Sequence, residues 1–382
     1  VGVVASDSTN VLLKNLKIHG FTTHGIQAGR LKDWTLEETM IFSNSLSGWN
    51  GDIGAKKSSN TGTITFRRVK ILYNGCGENP SNGQPQKCFS QSLGGYGDGL
   101  GTHETGGNWI FENVDISHNT SDGLDLLYHN GQGKITIKKS RFEGNAGNAV
   151  KVATTTWIEN SLLIGNCGYF SKNPVAHGVD PCRAGGNTLA AKFRQGMTVS
   201  LFNNTFLGEG DVIVESSGKE CDGKEKIISR NNIFWGRDEF LSRGDAPALY
   251  YASGRSGEGD GPCNDVTFDN AHSVIFHVKE IPAGCRGDHL ICKNPLFVGP
   301  LSTDAYNVHL SPKSPAKKTG KILSEVEPVD YLGNPRGKDW DVGGLEFQED
   351  VPALQPSEIL TPASGTPEEK KSTKPTSSDF II

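Results

Sequence analysis

Apolar and polar residues alternate in short bursts along this chain, and the bursts end alike. TLEETMIF (35–42), TITFRRVKI (63–71), WIFENVDI (109–116), KITIKKSRF (134–142) and WIENSLLI (157–164) each read as one alternating strand. Each runs into an apolar residue, two further residues and Asn: IFSN, ILYN, ISHN, FEGN and LIGN, ending at Asn44, Asn74, Asn119, Asn145 and Asn166. The intervals between these asparagines are 30, 45, 26 and 21 residues, the longest inflated by a loop over 75–96. Self-similarity at such intervals marks a solenoid whose coils stack about 4.8 Å apart, strand on strand. Inward Ile, Val, Leu and Phe fill it. The Asn after each strand can stack as a ladder whose amides bond the backbone at the bend.

A second short strand recurs along the chain, after each Asn and once before Asn44: HGIQAG (24–29), GDIGAKKS (51–58), GDGLGTHE (97–104), DGLDLLYH (122–129), NAVKVATT (148–155) and TLAAKFRQG (188–196). If coils stack in register, alternate residues of these strands make one contiguous outer surface. No long stretch carries a 3.6-residue apolar period, which excludes a barrel of alternating strands and helices. The spacing is too regular for a sandwich built from tight hairpins. The expected fold is all-β: a single-stranded right-handed parallel β-helix over 1–293, a capping segment over 294–350, and a disordered tail or linker over 351–382 rich in Pro, Ser, Thr, Lys and Glu. The segment NPLF, VHLSPKSPAKKTG, DYLGNPRGKDWDVGGLEF resembles the closing part of many bacterial parallel β-helix proteins. Trp34, Trp109 and Trp157 begin strands at matching positions and read as packing residues. Trp49, in SGWNG, reads as a loop residue able to stack on sugar.

Composition narrows the function classes. A net charge of −5 disfavours nucleic acid, which demands a basic face. No stretch approaches 18 apolar residues, so no membrane span is expected. The chain starts at Val1, already mid-pattern, as a processed form or a fragment would. Eight cysteines fall in loop-like Gly-, Pro- and Asn-rich stretches without CxxC zinc spacing. Sequential pairing is expected: Cys76–Cys88, Cys167–Cys182, Cys221–Cys263 and Cys285–Cys292. Oxidised pairs imply an extracellular or periplasmic location, and a secreted or cell-surface protein is expected. The chain is expected to act as a monomer.

Chemistry concentrates on the second strands. Asp98 sits in GDG, Asp122 and Asp125 in SDGLDL, and Lys151 in NAVKV, about one coil apart each. Asp122 and Asp125 are three positions apart, so a simple strand sends them to opposite faces. A turn at Asp122-Gly123 must bring them onto one side. Three converging carboxylates make a hard-oxygen cage for Ca²⁺. A lysine beside bound Ca²⁺ is pressed toward its neutral, basic form. Together these suit β-elimination on a uronic-acid polymer. His103, Tyr128 and His129, at the ends of the acidic strands, and Lys192 and Arg194, in AAKFRQG, are candidates for binding an anionic polysaccharide, with Lys56 and Lys57 placed similarly earlier. The plainer alternative is that Asp-Gly pairs are turns and the lysines a solvated face.

The run GDG, SDGLDL, GNAVKV resembles polysaccharide lyase family 9, the calcium-dependent pectate lyases, over residues 97–152. The resemblance implies Asp98, Asp122 and Asp125 as calcium ligands and Lys151 as the base. Ser121 stands where that family has a further Asp, and NAVKV lacks the glycines that flank the family's lysine. The expected function is therefore a secreted calcium-dependent lyase of pectate-like polymers. The alternatives are a glycoside hydrolase on the same fold, although no NTD, GHG or RIK-like set is present, and a non-catalytic carbohydrate-binding or surface-adhesion protein.

Overall fold

The structure, a computed structural model, describes residues 1–51, 53, 59–89, 97–218, 221–237, 246–252, 263, 266–282, 284–299 and 306–349. Lys56, Lys57 and the segment 351–382 lie outside the described residues.

Parallel strands recur in threes. Among the described residues they stack into three parallel sheets of nine strands each, and this is a parallel β-helix. The first sheet, which carries the site, includes Ile26–Gly29, Trp49–Asn50, Leu100–Gly101, Leu124–Leu126, Val150–Val152, Leu189–Phe193 and Val212–Gly218. The second includes Lys32–Glu37, Thr61–Arg67, Asn108–Glu112, Ile135–Lys138 and Thr156–Glu159. The third includes Met40–Phe42, Lys70–Leu72, Asp115–Ser117, Arg141–Glu143 and Leu162–Gly165.

Each run expected as one alternating strand is in fact two. A single residue in left-handed backbone breaks it: Glu38, Arg68, Asn113, Lys139 and Asn160 in the five runs, with Asn15, Asn203, Asn231 and His272 in the other coils, all at φ of 46–57°. One such residue turns the chain from the second sheet to the third without Gly or Pro. In that coil the described strand is Trp49–Asn50, and most of the strand expected over 51–58 lies outside the described residues.

Register builds the core. Trp109 stacks between Ile64 and Ile135, and Phe111 between Phe66 and Ile137; all are fully buried. Trp49 is not a sugar-stacking loop residue. Its two-residue strand turns it inward, fully buried, edge-on to Trp34 at 6.1 Å and Trp109 at 6.4 Å. Trp157 is one position out of phase with Trp109, because Thr156 takes the inward place beside Ile135. It packs on Phe202 outside the sheet instead.

The asparagine ladder forms at the bend from the third sheet to the first. Asn44 Nδ2 donates to Asn74 Oδ1 (2.9 Å), Asn74 to Asn119 (3.0 Å) and Asn119 to Asn145 (2.9 Å). Asn204 to Asn232 (3.1 Å) repeats the device at the bend from the second sheet to the third. The four disulfides pair sequentially as expected. Val278, Ile281 and Leu290 pack on the end of the core. Tyr306, Val308 and Leu345 run back along the outside of the third sheet, against Leu162, Ile164 and Leu207.

Candidate functional site

Backbone register assembles the site. Asn50, Gly101, Asp125, Lys151 and Ala190 occupy one outward column of the first sheet. Asp125 and Lys151 are therefore neighbours by pairing, and Lys151 Nζ donates to Asp125 Oδ2 at 2.7 Å. Asp122 precedes its strand, and the turn at Gly123 sets it beside Asp125. Lys151 Nζ reaches Asp122 Oδ2 at 3.1 Å. The tight coil spacing requires glycine here. A Cβ on Gly99 would lie 2.7 Å from the Gly123 carbonyl, and one on Gly123 would lie 2.5 Å from the Ala149 carbonyl.

Asp98 Oδ1 accepts the Asp122 N–H (3.0 Å), so the two acidic turns interlock. Asp122 Oδ1 accepts the Asn148 N–H (2.7 Å) and its Nδ2 (2.9 Å). Asp125 Oδ1 accepts the Leu127 N–H at 2.9 Å. The three carboxylates offer oxygens within 4.8 Å of one another. Three acids face one base, and the electrostatics follow. Burial, reinforced by the charges of Asp122 and Asp125, pushes the Asp98 carboxyl up to about 7. Burial also raises Asp122, but the Lys151 charge and the Asn148 hydrogen bonds outweigh it and hold its carboxyl below the usual value. Burial leaves Asp125 above its ordinary value despite the pull of Lys151. For Lys151, burial favours the neutral amine, but Asp122 and Asp125 prevail and hold the ammonium well above its ordinary pKa.

The cluster forms one wall of a pocket of about 290 Å³ lined also by Ser47, Asn50, Thr102, His103, Tyr128 and Arg183. His103 and Tyr128 stack at 5.3 Å, and Lys192 Nζ lies 5.7 Å from the Tyr128 ring. His103 and Tyr128 line the pocket beside the acids, and Lys192 sits by the Tyr128 ring outside the lining. Two expected ligands do not join them. His129 is buried in a turn, with Nε2 against the Gly107 carbonyl (2.9 Å) and Nδ1 accepting the Gly131 N–H (3.1 Å). A ring with both nitrogens committed to its own turn has none left for substrate. Arg194 is exposed over the Gly131 turn, apart from the pocket lining.

Arg183 is the residue that sequence reasoning missed. It directly follows the Cys167–Cys182 loop, 62 residues beyond its partner Ser121, whose Oγ accepts Arg183 Nη1 at 3.2 Å. Its backbone N–H bonds the Ala146 carbonyl (2.9 Å), which docks the loop on the site coils. The one available signal was its place directly after a half-cystine. Ser121 also hydrogen-bonds Asp98.

The donor set fits calcium. It is all hard oxygen, carries three carboxylates and lacks soft or imidazole ligands. A Cβ on Gly101 would come within 2.6 Å of Asp98 Oδ2, so glycine there leaves room for a ligating carboxylate.

Residues 1–178 match the family model described as the right handed beta helix region. No curated protein matches the sequence. Among solved structures, one titled crystal structure of pectate lyase Pel9A is 14% identical, with a TM-score of 0.43 over 87% of this chain and 70% of that one. Another, the complex structure of XylC with xylose, is 10% identical, with a TM-score of 0.40 over 83% of this chain and 51% of that one. Superpositions this loose carry no argument about chemistry. The four disulfides fit a protein that matures in an oxidising, extracellular-type environment.

Proposed function

We propose that the chain is a secreted, calcium-dependent lyase that cleaves a uronic-acid polymer such as pectate by β-elimination. The observation that carries this reading is the convergence of Asp98, Asp122 and Asp125 within 4.8 Å, beside Lys151, at the wall of an open pocket. The three aspartates would hold the ion. Calcium, when bound, supplies positive charge that draws electron density from the C6 carboxylate and acidifies the C5 proton.

The residues of the chain do the rest. Lys151 is held charged by Asp122 and Asp125, and it becomes a base only when those carboxylates are engaged elsewhere, which makes the reaction depend on calcium. Its amine then takes the C5 proton, the C4–C5 double bond forms, and the C4–O bond breaks, the departing sugar oxygen taking a proton from water. Arg183 and Lys192 pair with uronate carboxylates, Arg183 with its planar two-pronged donor. The His103–Tyr128 stack offers a flat face for a sugar ring. The test is absorbance of the unsaturated uronide on pectate and alginate, with and without EDTA. A calcium-dependent rise supports the reading, and no rise on any uronic-acid polymer overturns it.

A glycoside hydrolase has one observation in its favour. Asp98 is pushed up and Asp122 held down, the separation expected of a general acid beside an ionised carboxylate. New reducing ends without unsaturation, insensitive to EDTA, would select it. An Asp122→Asn variant with full activity would argue against both enzyme readings.

A further inference from the structure

The far end of the β-helix carries a second cluster, of different chemistry. His272 occupies the left-handed bend position that Asn203 and Asn231 hold in the two preceding coils. Its ring stacks on His289 at 4.6 Å, with an interplanar angle of 15°. Asp288 lies between the two nitrogens, with Oδ2 3.9 Å from His272 Nε2 and Oδ1 3.4 Å from His289 Nε2. One ligand atom from each residue lies within 4.8 Å of the other two. In a tetrahedral site with bonds of about 2.1 Å, neighbouring ligand atoms sit about 3.4 Å apart; the spacings are close to this, and the exposed His289 ring must swing out of its stack on His272 for both rings to aim a nitrogen at one ion.

The backbone under the cluster is fixed. The His272 N–H donates to the Asp288 carbonyl at 3.0 Å, Ile291 N–H to the Ser273 carbonyl at 2.9 Å and Ile275 N–H to the Ile291 carbonyl at 2.8 Å. The Cys285–Cys292 disulfide closes the loop that carries Asp288 and His289. His272 is mostly buried, with 17% of its side chain exposed, while Asp288 and His289 are 71% and 70% exposed, so an ion has open access. Two cations act on His272, namely Arg230 and Lys321, and Arg230 is already paired with Asp269 at 2.7 Å.

We propose that His272, Asp288 and His289 bind a divalent first-row transition metal, zinc being the probe of choice. Two imidazoles and one carboxylate suit zinc, copper or nickel rather than the hard cation expected at the aspartate cluster. The bound metal fastens the disulfide-closed loop to the last coil, leaving one coordination position to water. The site stands independently of the lyase reading.

The experiment is a calorimetric zinc titration of the full chain in excess calcium, which occupies the oxygen-only cluster. Wild type takes up one zinc per chain. His272→Asn and His289→Asn each weaken that binding by about tenfold or more, and the zinc-induced rise in thermal midpoint is lost in both. Asn tolerates the left-handed backbone at both positions, and His289→Asn lies in an exposed loop, so circular dichroism should show both folded. No zinc uptake by wild type, or uptake undiminished in both variants, overturns the proposal.

Discussion

The same coils carry two charged clusters, one on the first sheet and one on the third, and they differ in what covers them. On the third sheet, Arg141 pairs with a buried Glu143, and Asp115 is its register neighbour. The Tyr306 N–H from the C-terminal segment bonds Glu143 Oε1 at 3.1 Å. His118 is buried nearby between Tyr73 and Tyr169, at 5.0 and 4.0 Å. On the first sheet, Asp98, Asp122, Asp125 and Lys151 hold three carboxylates to one ammonium and face an open pocket. A sealed cluster serves the fold, because removing one partner leaves a buried charge. An open cluster with more carboxylates than ammonium groups is the one proposed to take a cation and to carry the chemistry.

The contrast can be broken by substitution. The largest expected effect is Lys151→Ala, which should lower kcat on the order of 10³-fold through loss of the base, with the protein still folded in calcium. Residual turnover near wild type would remove Lys151 from its role. Arg141→Ala should leave Glu143 unpaired and destabilise the fold by about 3–5 kcal/mol, measured by denaturant unfolding. Calcium should not restore that loss, and if it does the two clusters are not distinct.

His118 tests the sealed side by pH. Burial, with the Arg141 charge second, lowers its pKa to about 3. A lowered histidine pKa means the unfolded chain binds the proton first. Stability should therefore be unaffected above about pH 6.5 and fall as pH drops toward 3, by roughly 4 kcal/mol in all. In His118→Asn this contribution to the acid limb should flatten. An unchanged pH dependence would show that the ring is not held neutral.

Arg183→Ala should raise KM for a uronic-acid polymer by about tenfold, equivalent to about 1.4 kcal/mol, with little change in kcat. A kcat loss with KM unchanged would place Arg183 in the chemistry rather than in binding. The smallest effect expected is Asp98→Asn without calcium. The raised carboxyl of Asp98 opposes folding once ionised, so the variant should be more stable at pH 8, on the order of 1 kcal/mol after solvent screening, and nearly neutral at pH 4. Destabilisation at pH 8 would show that the carboxylate is not strained by its neighbours.

Much of this was legible in the sequence. The asparagine phrases gave the coils, because a side-chain amide that must bond its copy above and below recurs at each coil. Asp98, Asp122, Asp125 and Lys151 were legible because register places residues one coil apart side by side. The third sheet was not, since Glu38, Arg68 and Lys139 turn the chain in left-handed backbone, where sequence reading looks for Gly or Asn. Trp49 was misread because a two-residue strand is too short to show alternation. His129 was misread because exposure cannot be told from position at a strand end. Arg183 escaped because a disulfide loop, not the repeat, delivers it.

The most direct measurement is a crystal structure grown with saturating Ca²⁺. The account predicts one ion held by Asp98, Asp122 and Asp125, with the Lys151 amine released from both carboxylates and turned to the pocket. Persistence of the Lys151 ion pairs with no metal between the aspartates would contradict it.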